Sequence, residues 1–242
     1  MTELIYQLDS YLKEFEARVV GQDEANHGVI LDRTSFYAAG GCQPCDIGVL
    51  TDSTTAYPVE RVKKAGDQVI HYVAGQVPLP AVDASVHGSL NWERRYALMR
   101  THTALHILCG VIFRDYGASV TGGDMDPLQG RMDFEFETMH KDLVQTIETA
   151  VNLEIAKARP IHVAILPRAE AFQIPDLIRT KINLLPEGIQ QVRVVEIVGL
   201  DLQADGGTHV QNTVEVGHIR VVDYKSKGKI NKRIYIEICD GK

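Results

Sequence analysis

NWERRYALMRTHTALHILCGVIFRDYG, residues 91–117, is where the periodicity of this chain changes. Asn91 can accept from the free amides of a first helical turn. Leu98, Leu105, Leu108, Ile112 and Phe113 recur at near-helical spacing and Gly117 can stop the run, so a helix is predicted from Trp92 to about Tyr116. Upstream the pattern is short and β-rich. Ala17–Val20, Gly28–Leu31, Gly48–Thr51 and Gln68–Val73 read as strands, punctuated by Gly21, Gly40, Gly41, Pro44 and Gly66, and that spacing suggests a small barrel. Gly75-Gln76-Val77-Pro78-Leu79-Pro80 interrupts it, since neither proline donates to a sheet ladder.

Downstream, Arg131-Met132-Asp133-Phe134-Glu135-Phe136 alternates strictly and wants to be a strand with one buried face. Leu143, Ile147, Val151 and Ile155 then stack at intervals of four, with Pro160 as the expected stop. Gln191–Val198, Ile219–Tyr224 and Arg233–Ile238 read as further strands. The expected class is α+β. A small N-terminal β-barrel with a glycine-rich motif would occupy residues 1–90, and a helix packed on an antiparallel sheet would organise residues 91–242.

The composition narrows the function. With 242 residues, 45% of them apolar and 24% charged, the chain can bury a sizeable core. A formal charge of −7 argues against indiscriminate nucleic-acid binding, so no DNA partner is expected and any RNA contact must be local. No stretch approaches the roughly 18 apolar residues of a membrane span, and the start, MTELIYQLDSYLKEFEARVV, carries acids where a signal peptide carries bases. A cytoplasmic protein without a membrane partner is expected; the oligomeric state is left open. Cys42, Cys45, Cys109 and Cys239 are too few and scattered for a disulfide framework, and the Cys42/Cys45 pair lacks the second pair that a zinc knuckle needs.

His102 and His106 sit four apart on the predicted helix, so both imidazoles leave one face about a turn apart, within reach of one metal ion. Satisfied or exposed histidines meet the same spacing. Thr103 stands where a zinc protease carries its general-base Glu, which disfavours a peptidase. About a hundred residues later, Asp205-Gly206-Gly207-Thr208-His209 repeats the four-residue interval beside glycines that permit a tight turn. Neutral imidazole nitrogens and a carboxylate oxygen suit Zn2+, and three protein ligands would leave a position free for water or substrate.

Taken in order, Arg100-Thr101-His102-Thr103-Ala104-Leu105-His106, Gly206-Gly207-Thr208-His209-Val210 and Thr213-Val214-Glu215-Val216-Gly217 resemble the editing domain of alanyl-tRNA synthetase. The resemblance is closer to the freestanding AlaX-type proteins that carry this domain alone, and it extends to the editing domain of threonyl-tRNA synthetase. Leu31-Asp32-Arg33-Thr34-Ser35-Phe36-Tyr37 and Gly40-Gly41-Cys42-Gln43-Pro44 are similar to the glycine-rich stretch of the longer AlaX forms.

The resemblance implies a trans-editing hydrolase, an enzyme that deacylates mischarged alanine tRNA at its acceptor end, with seryl-tRNA and glycyl-tRNA as substrates. It also implies zinc held by the paired histidines and a Cys-x-x-x-His motif. Here Asp205 stands in place of that cysteine, so His102, His106 and His209 carry over as ligands and Asp205 is the candidate fourth. Thr121 is the candidate for reading the serine hydroxyl, since family members place a threonine near this point; plain turn chemistry in Val120-Thr121-Gly122-Gly123 is the alternative. Gln43 is a candidate for reaching the substrate or the terminal adenosine, or else ties the two domains together. Lys225, Lys227, Lys229, Lys232 and Arg233, with Arg94, Arg95 and Arg100, would meet phosphates unless they form solvated faces.

Two other functions fit the same residues. One is a non-enzymatic RNA-binding module with a structural metal site, the other a metal hydrolase acting on a different ester. A site with four closed ligands would favour the first.

Overall fold

A computed structural model of the chain describes residues 1–180, 185 and 188–240, which divide into two compact units, Met1–Tyr96 and Ala97–Lys242. In the first unit six strands close into an antiparallel barrel: β1 (Glu14–Asp23), β2 (Gly28–Leu31), β3 (Gly48–Thr51), β4 (Ala56–Ala65), β5 (Gln68–Val73) and β6 (Ser85–Leu90). Their spatial order is β1-β2-β5-β4-β3-β6. Phe15, Ala17 and Val19 alternate inward along β1 and meet Val29, Leu31, Leu50 and Val69 in the barrel core.

Two of these strands escape the alternation rule. In β4 the register shifts between Val59 and Arg61, so Glu60 and Arg61 both face out while Val59 and Val62, three apart, both face in. In β6 the inward position between Val86 and Leu90 is Gly88, over which the Phe15 ring packs. The interrupting segment at residues 75–80 therefore does not end the barrel. β6 follows it and closes on β1.

His71 is wholly buried in this unit. Its Nδ1 lies 3.1 Å from the Val29 carbonyl and its Nε2 2.8 Å from Thr34 Oγ1. A carbonyl only accepts, so Nδ1 carries the proton and the Thr34 hydroxyl donates to Nε2. Burial pushes the His71 pKa down to about 4 from an ordinary 6.5. Between those values the unfolded chain holds a proton that the folded one refuses, so stability is intact above pH 6.5 and falls as the pH drops towards 4. At 1.36 kcal/mol per pH unit the loss at pH 4 is about 3 kcal/mol. Denaturant melts at pH 7 and pH 4 are expected to show wild type losing that much more than His71→Asn; equal losses would contradict it.

The second unit grows around α1 (Trp92–Tyr116), whose first turn lies in the first unit. The Asn91 side chain accepts from the Arg94 amide, and Gly117, at φ +63°, closes the other end by donating to the Phe113 carbonyl. Residues 101–112 are buried on every side, so this is a central helix and not an amphipathic one. It is followed by β7 (Val120–Asp126), β8 (Gln129–Glu135), α2 (Lys141–Ala156), β9 (Ile161–Pro167), β10 (Gln191–Ile197), β11 (Asp201–Ala204), β12 (His218–Ser226) and β13 (Asn231–Cys239). An antiparallel sheet of order β12-β13-β8-β7 and a second of order β9-β10-β11 result, and the fold is α+β as expected.

α1 packs on β8. The Thr101 hydroxyl accepts the Leu128 amide at 2.8 Å, and Leu105 Cδ2 lies 3.1 Å from where a side chain at Gly130 would begin. Val120-Thr121-Gly122-Gly123, open to a turn reading, is the start of β7. α2 stops at Ala156 rather than at Pro160, because Ala158 turns into the left-handed region and Pro160 bridges to Asn212. No helix among the described residues is long and apolar enough to cross a membrane.

Candidate metal centre

Thr101, His102, Thr103 and His106 place polar atoms on the most buried part of α1, where each needs a partner. The partners come from the β10–β11 hairpin and the loop after it. α1 carries Gly110 one turn beyond His106. A side chain there would begin 2.9 Å from Leu200 Cγ, 3.0 Å from Asp201 Cβ and 3.1 Å from the Leu200 carbonyl oxygen. Only glycine lets the hairpin lie this close, which brings Asp201 to the helix at His106.

Beyond β11 the chain delivers Asp205 and His209. The hairpin anchors this segment: the Asp205 amide donates to the Arg193 carbonyl, and Arg193 Nη1 donates back to the Asp205 carbonyl at 3.0 Å. Asp205 Oδ2 accepts the Gly207 amide at 2.7 Å and so shapes the glycine turn. The turn aims His209 at the helix.

His102, His106, His209 and Asp205 therefore meet. One ligand atom from each lies within 4.8 Å of the others. The ring centroids of His102 and His209 are 4.3 Å apart, those of His106 and His209 4.7 Å, and those of His102 and His106 5.1 Å. Asp205 Oδ2 is 3.0 Å from His209 Nε2, and its Oδ1 is 3.5 Å from His102 Nε2. The three histidines are at most 7% exposed, whereas the Asp205 side chain retains 18%, so the cluster meets solvent on the carboxylate side.

Two further groups face the outer nitrogens. His106 Nδ1 is 3.1 Å from Asp201 Oδ2, and His209 Nδ1 is 3.2 Å from Thr103 Oγ1, which also accepts the Val210 amide. These contacts leave Nε2 of His106 and of His209 as the inward atoms. Thr103 stands where a protease would place a base, and its use here is to hold an imidazole. Its role, like that of Asp201, could not be read from spacing, because each depends on which loop folds against α1.

The charge state suits a cation. Burial, with the neighbouring His209, His106 and Arg193, holds His102 well below its ordinary pKa against the pull of Asp205. Burial likewise lowers His209 to about 4. Burial acts to raise Asp205, but the surrounding imidazoles overcome it and keep the carboxyl well below its usual range. Burial also lowers His106, yet the hydrogen bond and charge of Asp201 outweigh it and leave that imidazole raised. His102 and His209 thus offer neutral imidazoles and Asp205 an anion, and three imidazoles with one carboxylate are a donor set that fits a divalent metal of borderline softness.

The remaining sequence candidates are not among the four clustered residues. Thr121, on β7, is exposed, and its hydroxyl donates to Asn231 Oδ1 at 3.0 Å. Gln43 is 2% exposed in a tight turn in which its backbone exchanges hydrogen bonds with Gly40. The basic residues are largely committed to the protein itself. Arg95 is wholly buried against Asp46, Arg100 bonds the Val216 carbonyl and Asp240, and Lys232 ties down the carbonyls of Gly228 and Lys229. Arg233 clamps Asp133, and Lys225 pairs with Asp223. Lys225, Lys227 and Lys229 remain exposed. None of the four cysteines is in a disulfide, and Cys42 and Cys45 are partly buried.

The family described as "Threonyl and Alanyl tRNA synthetase second additional domain" matches residues 192–235, the segment that carries Asp205 and His209, and "tRNA synthetases class II (A)" matches residues 4–94. The alanyl-tRNA editing protein AlaX-M of Saccharolobus solfataricus is 40% identical over 239 residues, covering 98% of this chain and 99% of that one. AlaX-M of Methanosarcina barkeri is 36% identical, covering 99% and 100%. The alanine–tRNA ligase of Ignicoccus hospitalis is 37% identical over 91% of this chain, which corresponds to 24% of the ligase. Since its resemblance to AlaX-M proteins runs end to end, the chain belongs to the AlaX-M family of alanyl-tRNA editing proteins.

Proposed function

We propose that this protein is a trans-editing hydrolase that removes serine, and glycine as a second substrate, from mischarged alanine tRNA, at a zinc ion held by His102, His106 and His209, with Asp205 as the candidate fourth ligand on the solvent side. The observation that carries the proposal is the convergence of three imidazoles and one carboxylate in a chain of this family. When bound, zinc would supply a Lewis acid beside the ester. The protein's own part is to hold that charge among the buried His102, His106 and His209, with Asp205 the most exposed of the four. An aminoacyl ester is already activated, so positioning it against a fixed charge contributes much of what hydrolysis needs.

Editing answers a physical limit of the synthetase. A pocket sized for alanine cannot exclude glycine strongly, and it rejects serine only weakly on one added hydroxyl, so a second hydrolytic site is required. That site must welcome the hydroxyl that the first failed to reject. Thr121 is the side chain proposed to read it and Gln43 the one proposed to contact the substrate or the terminal adenosine; Thr121 would exchange its hydrogen bond to Asn231 for one to serine.

The test is release of amino acid from seryl-, glycyl- and alanyl-tRNA, all on alanine tRNA, with and without a chelator. Serine release that the chelator stops is expected, with alanyl-tRNA spared. Intact seryl-tRNA would overturn the proposal. In the same assay Thr121→Val is expected to cut serine release at least tenfold relative to glycine release, and an unchanged ratio would remove Thr121 from the site.

A further inference from the structure

Asp201 is a buried carboxylate outside the four-residue cluster, and three groups converge on it. His106 Nδ1 approaches Oδ2 at 3.1 Å, and Gln203 Nε2 donates to the same oxygen at 2.7 Å. Arg179 stands behind, with its Nε 3.6 Å from Oδ1 and its guanidinium 3.7 Å over the Phe113 ring. Asp201 is 3% exposed, and among the described residues neither its Oδ1 nor Arg179 Nε has a hydrogen-bond partner. A buried carboxylate is costly unless it is well paired, and one left with an unsatisfied oxygen is not explained by packing.

We propose that Asp201 is the positioning residue of the metal centre: it accepts the Nδ1–H of His106, fixes that imidazole as the tautomer whose Nε2 lone pair faces the ion, and is itself held by Arg179 and Gln203. The proposal rests on the reading that His102, His106, His209 and Asp205 bind a metal. A carboxylate can only accept from an imidazole N–H, so the His106 tautomer follows from the contact and not from the ion. A histidine ligand oriented this way presents its lone pair before metal arrives and is a stronger donor once it does. Asp205 and Asp201, four residues apart on one strand end and loop, thus act on different sides of the histidine cluster. Asp205 joins the ligand atoms, while Asp201 stays behind His106 and touches neither ion nor substrate. Gly110 is the device that admits it, since the Leu200–Asp201 backbone rests on the helix where a side chain would stand.

The experiment measures the zinc dissociation constant by competition with a chromophoric chelator, and the His106 tautomer from long-range 1H–15N spectra of the metal-free protein at pH 8. Wild type is expected to bind zinc and to show His106 protonated on Nδ1. Asp201→Asn is expected to weaken zinc roughly 10- to 100-fold and to shift His106 towards the Nε2–H form, because the amide can donate where the carboxylate cannot. Gln203→Leu, which keeps the charge, is expected to weaken zinc only several-fold and serves if Asp201→Asn does not fold. Unchanged affinity and tautomer in Asp201→Asn, or in Gln203→Leu should that be the variant measured, would overturn the role of Asp201 while leaving the metal site standing. A wild type that binds no zinc would overturn the metal reading first and this proposal with it.

Discussion

His102→Ala is expected to lose both zinc and deacylation. The variant keeps two imidazoles and a carboxylate, but loss of a direct ligand should exceed the roughly 10- to 100-fold that loss of an outer partner costs. His102 is 5% exposed, and Asp205 Oδ1 faces it at 3.5 Å, so the substitution also removes a partner of Asp205. Stoichiometric metal content after dialysis and serine release from seryl-tRNA are the two measurements. A variant that keeps full zinc and full activity would show that the ion, if any, sits elsewhere.

Asp46→Ala is expected to be the most destabilising single change outside the metal centre. Arg95 is completely buried, donates from Nε to both Asp46 oxygens at 3.0 Å, and donates from Nη1 to the Ser10 carbonyl at 2.9 Å. Asp46 in turn accepts the Tyr37 amide at 2.6 Å. Exposed pairs such as Arg220–Glu237 are screened by water and contribute little, whereas removing one member of a buried pair costs roughly 3–5 kcal/mol, because the other is stranded without water. In a chain of this size that corresponds to a fall in Tm of about 10 °C. The double variant Asp46→Leu/Arg95→Met should recover part of the loss, since it strands no charge. A melting temperature unchanged by Asp46→Ala would contradict the burial of the pair.

Much of this molecule was legible before any coordinates, and the failures have causes. A strand with strict inward alternation, such as β5, and the capped helix α1 announce themselves because one local rule decides each. β4 and β6 do not, since a bulge at Glu60–Arg61 and an inward Gly88 break the period that marks a strand. The histidine pair on α1 and the Asp205–His209 pair were readable as spacings. Their meeting depends on a loop reaching a helix a hundred residues away, and only the ordered resemblance to a family joined them. Asp201, Thr103 and Arg179 left no trace in the sequence, because a partner behind a ligand is chosen by tertiary contact. Arg95, Lys232 and Arg233 look like phosphate contacts in one dimension and are internal ties in three, whereas Lys225, Lys227 and Lys229 stay exposed.

X-ray absorption at the zinc edge of the loaded protein tests the convergence of the four side chains most directly. The expected spectrum has a first shell of nitrogen and oxygen alone at about 2.0–2.1 Å, with the outer-shell scattering of about three imidazoles. A sulfur shell at about 2.3 Å, or scattering from fewer than two imidazoles, would contradict a centre built from His102, His106, His209 and Asp205.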